Sequence, residues 1–369
     1  MRRLLFLALI FALAAPVCRA EEGPVPYREA PVQIVVSFTG DCTLGCTPDQ
    51  RMNPRTSFEG YVAREGMAYP FAEVREIFEN DDLTVINLES VFQDDDSCRA
   101  DKTYNFRAPQ SYAGMLPLGG VDAVSFANNH TMDYSAKGFL STLEALEKVN
   151  IPWFGASETA CATYIFEKDG VKIGFVSTYI SDYFRTEGKL VTKCFDELYA
   201  AGCNLIVGCI HGGVEYDTLH DEAMERTANG FIRRGADVVI CHHPHTLQGI
   251  RVENGRTTLW SLGNFVFGGN PEIRVNHAGE SVISTMIAQF TFSFDESGKY
   301  LGHQLNVIPC HMSGHTGYND YQPHPVSGQD AERVIQALQR DAQPYGLKIR
   351  PYVEGVGALQ PFVPAPTDR

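Results

Sequence analysis

The sequence predicts a mixed α/β domain in which strands and helices pack in layers. Apolar strand-like runs alternate with helical segments through the first 240 residues, and antiparallel hairpins follow toward the C-terminus. Several of the strand-like runs also end in polar residues, which is typical of sites at a sheet edge. With 369 residues, of which 44% are hydrophobic and 20% charged, the chain can bury a substantial core.

The first half of the chain alternates strand and helix patterns. VQIVVSFTGD is a strand, PFAEVREIFEN has helical spacing, and LTVINLES is a second apolar strand. A short helix in APQSYAGMLPLGG precedes a third strand, VDAVSFANNH. The segment SAKGFLSTLEALEKVN then predicts an amphipathic helix.

The second half contains three predicted hairpins. TYIFEKDGVKIGFVSTY turns at Asp169-Gly170, GIRVENGRTTLWSL at Asn254-Gly255, and the third hairpin near Ser297-Gly298. Between the first two lie a helix near CFDELYAAG, the strand NLIVGCIHGG, the helix DEAMERTANGFIRRG and the strand ADVVICHHPH. We expect one domain over residues 25–325, followed by a peripheral appendage, 326–369, with one short helix.

The N-terminus has the pattern of an export signal over residues 1–20. Arg2 and Arg3 precede the apolar run LLFLALIFALAAPV, and small residues at Cys18 and Ala20 predict cleavage after Ala20. Lipidation at Cys18 is the alternative, although Pro16 and Val17 suit it poorly. We therefore expect the mature protein in the periplasm or outside the cell.

Charge and cysteine content narrow the possible partners. Removal of the signal leaves 27 basic residues against 45 acidic ones, a net charge of −18, which opposes nucleic acid and anionic membrane surfaces. Nine cysteines then remain, so at least one has no partner within the chain. Cys209 and Cys241 are expected to be buried thiols, and the disulfide candidates are Cys42, Cys46, Cys98, Cys161, Cys194, Cys203 and Cys310.

Five strand-like runs end in side chains that can bind metal. These ends carry Asp41, Glu89, Asn128-Asn129-His130, His211 and His242-His243-Pro244-His245. Because the carboxyl ends of parallel strands share one sheet edge, these side chains should converge. Imidazole, carboxylate and amide oxygen together suit Zn, Mn or Fe, and such an ion can generate a hydroxide for hydrolysis of a phosphate or acyl bond.

Each of these residues also has a structural explanation. Asp41 and the asparagines are common in turns, and Glu89 suits a cap at the start of the next segment. His211 alone would be an ordinary histidine at the core edge. The HHPH run could hold a structural ion or titrate as a pH switch. Recurrence at five strand ends favours the metal site.

The motifs resemble those of the CapA-type (PgsA-like) poly-γ-glutamate capsule proteins, which share the calcineurin-like metallophosphoesterase fold. The similarity covers about residues 32–268. It rests on GDCTLG (40–45), NLES (87–90), FANNHTMDY (126–134), HGGVEY (211–216), GADVVICHHPHTLQGI (235–250) and LWSLGNFVF (259–267). The resemblance implies a four-layer α/β/β/α sandwich of the metallophosphoesterase type.

The resemblance also implies roles for individual residues. Asp41 and His245 would ligate a first ion, Glu89 would bridge, and a second ion would take Asn129, His211 and His243. His130 would protonate a leaving group, with Asp133 and Glu215 orienting imidazoles.

Three positions depart from the family patterns. Thr43 stands where the phosphoesterases have a histidine, Glu89 replaces their bridging aspartate, and Gly212 replaces an aromatic residue common in the capsule family. The number of metal ions at the site, one or two, therefore remains open. Independently of the resemblance, Arg107 in NFRAP is a candidate clamp for a carboxylate or phosphate of the substrate.

These features leave three functions open. The first is an exported protein of poly-γ-glutamate or capsule-like polymer biosynthesis, working on an anionic polymer beside membrane-bound synthesis machinery. The second is a secreted metal-dependent hydrolase of phosphoesters or of γ-glutamyl or cell-wall amides, acting on a polymer or a small molecule. The third is a polymer-binding module without catalysis.

The sequence leaves two further questions open. Cys42 could form a disulfide with Cys46, or either cysteine could provide a thiolate ligand. The oligomeric state is also open.

Overall fold

The computed structural model describes residues 31–156, 161–342, 353 and 357–367. The predicted export signal, residues 1–20, lies outside this range. Within the described part, no helix combines the length and apolar character that crossing a membrane would require.

Strands make up most of the regular structure. Two of them, β3 and β4, form a small separate ribbon, and the other sixteen belong to one connected sheet. The strands are β1 (Val32–Cys42), β2 (Leu83–Leu88), β3 (Val91–Phe92), β4 (Arg107–Ala108), β5 (Ala123–Ser125), β6 (Trp153–Ala156), β7 (Cys161–Ala162), β8 (Tyr164–Lys168), β9 (Val171–Tyr179), β10 (Leu205–His211), β11 (Val238–His242), β12 (Ile250–Glu253), β13 (Arg256–Leu259), β14 (Ser284–Phe294), β15 (Tyr300–His311), β16 (His324–Pro325), β17 (Ala358–Leu359) and β18 (Val363–Pro364).

The helices connect the strands or cover the sheet. They are α1 (Pro48–Arg51), α2 (Phe58–Glu65), α3 (Arg75–Glu79), α4 (Met115–Leu118), α5 (Ser135–Lys148), α6 (Ile180–Arg185), α7 (Lys189–Ala200), α8 (Glu222–Arg233) and α9 (Gly328–Arg340), with 3₁₀ turns at Tyr69–Phe71 and Gln110–Gly114. Thr47, Ser57 and Asp221 cap the N-termini of α1, α2 and α8 with their side-chain oxygens, which explains why these helices begin there.

The sheet has two halves joined through β6. One half runs β12-β13-β11-β10-β9, and the other runs β5-β2-β1-β14-β15-β16. The strands β1, β2, β5, β6, β9, β10, β11 and β13 pair in parallel, whereas β14 and β15 add antiparallel strands beside β1. The predicted mixture of parallel strands and later hairpins is therefore confirmed.

Three hydrophobic clusters show how the layers stack. The inner cluster joins residues of both sheet halves, including Phe38 of β1 and Phe175 of β9, whose ring centroids are 6.4 Å apart. A second cluster packs α5 on the outer face of one half through Leu146. A third packs α7 and α8 on the other half through Phe195 and Phe231. The fold is thus the four-layer α/β/β/α sandwich that the resemblance implied.

The C-terminal segment packs more deeply than a peripheral appendage would. Val334, Ile335 and Leu338 of α9 are at most 2% exposed and belong to the inner cluster. Two short strands, β17 and β18, pair with β15 beyond this helix. The segment after residue 325 therefore contributes directly to the core between the sheet halves.

One disulfide joins a strand and a helix in the half of the sandwich that contains β9. Cys161 of β7 is bonded to Cys194 of α7. The other seven cysteines of the described residues are free, and Cys209 and Cys241 are buried thiols as predicted.

Candidate metal centre

Parallel strand ends bring the predicted ligands to one edge of the sandwich. Asp41 lies near the end of β1 and is in register with Asn87 of β2. His211 ends β10 and is in register with His242, the last residue of β11. The carboxyl ends of neighbouring parallel strands lie side by side, and for this reason residues separated by 200 positions meet here.

Glu89 lies at the centre of the cluster. Its Oε1 is 3.3 Å from Nε2 of His211, 3.9 Å from Nε2 of His130 and 4.0 Å from Nε2 of His245. The side chain is fully buried, and neither oxygen has a hydrogen-bond partner among the residues that the structure describes. Burial, followed by the negative charge of Asp41, raises the pKa of Glu89 well above its usual value.

Asp41 is held by three donors. Nδ2 of Asn87 lies 2.8 Å from its Oδ1, while the backbone N–H of His243 and Nδ1 of His245 are each 3.2 Å from its Oδ2. Burial acts to raise the pKa of Asp41, but the hydrogen bond and charge of His245 outweigh it and lower the pKa. Asp41 is therefore ready to act as an anionic ligand.

The imidazoles of His211 and His243 face each other. Nε2 of His211 is 2.9 Å from Oδ1 of Asn129 and 3.1 Å from Nδ1 of His243. Burial lowers the pKa of His211 well below its usual range and that of His243 to about 3. Both rings are thus kept neutral, as metal coordination requires.

Two overlapping groups of ligand atoms fit a metal ion. Glu89 combines with His243 and His245 in one group and with Asp41 and His211 in the other, and within each group the atoms lie within 4.8 Å of one another. A buried carboxylate without donors, beside the neutral imidazoles of His211 and His243, is an arrangement that a cation would stabilise, since His245 is already paired with Asp41. Glu89 belongs to both groups, and the groups overlap without assigning the other ligands to one ion or to two.

The backbone of the HHPH turn is adapted to this geometry. His243 and His245 have positive φ values, 101° and 56°, which are uncommon for residues other than glycine. Such conformations often occur where a site imposes the side-chain direction. His242, by contrast, places Nε2 2.9 Å from the carbonyl oxygen of Thr39, inside the sandwich.

His130 lies beside Glu89 within a chain of polar contacts. Its Nδ1 is 2.7 Å from Oδ2 of Asp133, so Asp133 is placed to orient the ring. The fully buried Asp133 also accepts the backbone N–H of Phe106 at 2.5 Å and pairs with Lys102 at 2.5 Å. Burial lowers the pKa of His130. Only its Nε2 remains directed toward the ligand cluster.

Two other predicted residues are placed differently from the ligand cluster. Glu215 is exposed, and after burial and Asp41 its charge adds to the raised pKa of Glu89; burial lowers the pKa of His245, but the hydrogen bond and charge of Asp41, followed by the charge of Glu215, raise it. Arg107 is 7% exposed, and its guanidinium binds Oδ1 of Asp96 at 2.6 Å and the carbonyl oxygen of Gln93 at 3.0 Å. Because protein groups engage these donors of Arg107, the structure offers little support for the predicted substrate clamp.

Three residues of the site were missed in the sequence. Asn87 contacts Asp41 and places Nδ2 3.2 Å from Nδ1 of His211, while Asn264 places Oδ1 2.9 Å from Nδ1 of His245. Both follow apolar runs, and that signal could have identified them. Lys102 contacts His130 and Asp133 from a loop in which no sequence pattern marks it.

The first ion implied by the resemblance could have taken a further ligand from position 42, 43 or 46. None of these side chains belongs to the two ligand groups. Oγ1 of Thr43 donates to the carbonyl oxygen of Gly45 at 2.9 Å and accepts the N–H of Gly268 at 2.7 Å. Cys42 and Cys46 are both free and buried. Burial raises the pKa of Cys42 to about 12 and also raises that of Cys46. Neither cysteine forms a disulfide, and neither belongs to the two ligand groups found among the described residues.

Comparisons with known proteins identify a family and two relatives whose names all refer to capsule or PGA synthesis. The family described as Bacterial capsule synthesis protein PGA_cap matches residues 35–269. The Capsule biosynthesis protein CapA of Bacillus anthracis is 27% identical over 359 residues, covering 91% of this chain and 80% of that protein. The PGA biosynthesis protein CapA of Bacillus subtilis (strain 168) is 28% identical over 247 residues, covering 63% of this chain and 62% of that protein.

Solved structures are less similar. A hypothetical protein from Thermus thermophilus gives a TM-score of 0.43 at 14% identity, covering 75% of this chain and 99% of that one. A 5'-nucleotidase from Candida albicans gives a TM-score of 0.37 at 9% identity, covering 86% of this chain and 60% of that one. The assignment rests instead on the sequence match, which spans the strand ends from Asp41 to Asn264. The chain belongs to the bacterial capsule synthesis protein family.

Proposed function

We propose that the protein is exported and acts in the biosynthesis of an anionic capsule-like polymer, as a metal-dependent hydrolase of the polymer chain. The observation that carries this proposal is the pair of ligand groups that share Glu89. The relative in Bacillus subtilis is named for PGA biosynthesis, which favours poly-γ-glutamate, a chain of amide-linked carboxylates, as the polymer.

A divalent ion such as Mn, Zn or Fe, bound at this edge as one ion or two, would polarise the scissile bond and supply a hydroxide at neutral pH. Asp41, Glu89, His211, His243 and His245 would hold it, with Asn129 completing the set. The remaining chemistry belongs to the chain itself.

His130 would take up at Nε2 the proton that the attacking water loses and would pass it to the leaving nitrogen or oxygen. Asp133 supports this role because it holds Nδ1 at 2.7 Å and so fixes the ring. The ring of Phe106 lies 4.4 Å from that of His130, between centroids, and covers one of its faces. A fixed, partly covered acid beside the ligand cluster favours a hydrolase over a binding module without catalysis.

Export is supported by two observations. Residues 1–20 have the pattern of a signal peptide, and a disulfide between Cys161 and Cys194 is typical of an oxidising compartment. We propose that the mature protein works there beside membrane-bound polymer synthesis machinery.

Elemental analysis of purified protein tests the metal site. We expect His211→Ala and His243→Ala to lower the content of bound transition metal substantially, because each histidine belongs to one of the two ligand groups that contain Glu89. His315→Ala, at a half-exposed histidine stacked on Tyr318, is the matched control and should leave the metal content unchanged. Equal metal content in all four proteins would contradict the site.

Hydrolysis of γ-glutamyl oligomers tests the reaction. Turnover should require Mn or Zn and should disappear with a chelator. A chromogenic phosphodiester tests the phosphoesterase alternative in parallel. Polymer binding that persists after chelation, without turnover of either substrate, would instead support a binding module.

A further inference from the structure

Lys102 is a cation at the margin of the metal centre. Its Nζ lies 2.5 Å from Oδ1 of Asp133, 2.8 Å from the carbonyl oxygen of Asn129 and 3.3 Å from Nδ1 of His130. Its side chain is 32% exposed. An ammonium group has three protons, and Nδ1 of His130 already faces Asp133. In the tautomer of His130 that donates from Nδ1 to Asp133, Nδ1 cannot accept from Lys102, so the third Lys102 proton is available to a ligand that enters from solvent.

Arg274 is a second cation near the other end of the ligand cluster. Its guanidinium carbon lies 6.0 Å from the ring centroid of Tyr216, and that ring lies 5.9 Å from the ring of His245. The N–H of Tyr216 donates to the carbonyl oxygen of Pro244 at 2.7 Å, and the N–H of His277 donates to that of Tyr216 at 2.8 Å. These bonds fix the loop of the exposed Arg274 against the HHPH turn.

The two cations terminate one row of contacts. From Lys102 the row passes through His130 to Glu89, continues to His245, and reaches Arg274 by way of Tyr216. The full chain carries a formal net charge of −15, so positive groups at both ends of this row stand out from the average surface. The exposed Glu215 is the opposing charge at the same rim.

Exposed apolar side chains lie on the loops beside these cations. Met132 is 52% exposed and follows His130, Val214 is 46% exposed and follows His211, and Val275 is 60% exposed and adjoins Arg274. A ligand that presents both carboxylates and methylene groups would satisfy the cations and cover these side chains.

From this arrangement we propose that Lys102 and Arg274 are specificity-determining residues, which bind carboxylates of an aliphatic polyanion on either side of the metal centre. The proposal rests on the proposed function and adds the residues that would select the substrate. Lys102 also positions the loop of Asn129 and His130, whereas Arg274 touches neither residue in any contact described above. Arg274 therefore gives the cleaner test.

The experiment measures binding of a poly-γ-glutamate oligomer to the metal-loaded protein at low salt. An exposed ion pair contributes up to about 1 kcal/mol, so Arg274→Gln and Lys102→Gln should each weaken binding about three- to fivefold. Metal content should be unchanged in Arg274→Gln. Glu215→Gln, which removes the opposing charge, should strengthen binding.

Lys299→Gln is the matched control, since Lys299 is exposed in the β14–β15 hairpin near the amino end of β1, far from the strand ends that carry the ligands. Binding as tight in Arg274→Gln and Lys102→Gln as in Lys299→Gln, or no binding by the unsubstituted protein, would overturn the proposal. Tighter binding of polyphosphate, equally sensitive to both substitutions, would overturn the preference for carboxylates. Weakened binding without turnover would leave the proposal standing and contradict only the hydrolase.

Discussion

Glu89 combines complete burial with a carboxyl group that receives no hydrogen bond from the described residues. A charge in that position costs several kcal/mol unless a counter-charge is present. The imidazoles of His211 and His243 have lowered pKa values and cannot supply that charge near neutral pH, while His245, whose pKa is raised, is already paired with Asp41 at 3.2 Å. Glu89 is therefore the residue whose environment depends most on a bound cation.

Glu89→Gln should have opposite effects on the metal-free and metal-loaded protein. Without metal, removal of a buried carboxyl should raise the free energy of unfolding by about 1 kcal/mol. With Mn or Zn in excess, the increase in Tm that the metal gives to the unsubstituted protein should largely disappear, because a ligand shared by both groups is lost. Calorimetry with and without metal measures both effects, and an unchanged metal-induced increase in Tm would exclude Glu89 as a ligand.

His130→Ala should separate metal binding from chemistry. If His130 is the proton donor, turnover of γ-glutamyl oligomers should fall about 10²–10⁴-fold. Metal content should stay close to that of the unsubstituted protein, since the two ligand groups do not include His130. Turnover within a factor of two of normal would rule out this role.

Site residues that lie at the ends of apolar strands could be predicted from the sequence, and site residues on loops could not. Asp41, Glu89, His211 and the HHPH residues were found because apolar runs end at them. Lys102 reaches the site from a loop, and Arg107 is diverted to Asp96, a partner that no local pattern reveals. Loop side chains are positioned by tertiary contacts, which a local sequence pattern does not encode.

At the level of elements, turn chemistry made the hairpins predictable. Asp169-Gly170 and Asn254-Gly255 both occupy the positive-φ positions that a tight two-residue turn requires. The directions of the His243 and His245 side chains were not predictable, because they depend on the backbone of the turn after β11. Their positive φ values have no signature in the sequence.

The turn just before β2 contains a pH-sensitive carboxyl group, that of Asp81. Burial raises the pKa of Asp81 to about 7, although its Oδ2 accepts a 2.7 Å hydrogen bond from Oγ1 of Thr84. Between pH 4 and 7 the folded state therefore holds a proton that the unfolded chain releases, so stability falls as pH rises through this range and levels off above pH 7.

Asp81→Asn should remove this contribution. With allowance for partial solvent screening, we expect the free energy of unfolding of the unsubstituted protein to fall by about 1–2 kcal/mol more than that of Asp81→Asn between pH 5 and pH 8. Urea denaturation at both pH values measures the difference. Asp169→Asn, in an exposed turn, is the control. Identical pH dependence of Asp81→Asn and the unsubstituted protein would contradict the raised pKa.

At the level of the whole molecule, the fold class was predictable, but the packing of the C-terminal helix α9 into the core was not. Alternating strands and helices indicated layers, and the resemblance supplied the four-layer order. The contribution of α9 to the inner cluster was not expected, because a short amphipathic helix after a Pro-rich segment looks the same whether it covers a core or lies apart from it. Long-range packing decides between these outcomes.

Leu338→Ala tests how far α9 contributes to stability. Leu338 is fully buried in the inner cluster, so the substitution should lower the free energy of unfolding by about 2–5 kcal/mol. Leu140→Ala, on α5 with 57% exposure, should change it by less than about 0.5 kcal/mol. Denaturant titration of the two variants measures the contrast, and equal small effects would show that α9 is dispensable.

The place of β14 beside β1 has a consequence for the order of events during synthesis. Residues 284–294 pair with residues 32–38, so the strand that leads to Asp41 gains its second neighbour only after most of the chain has been made. A nascent chain that has just completed the HHPH turn already has all of its ligands but not a closed sheet to hold them. Ion uptake should therefore be among the last steps of maturation, following translation instead of guiding it.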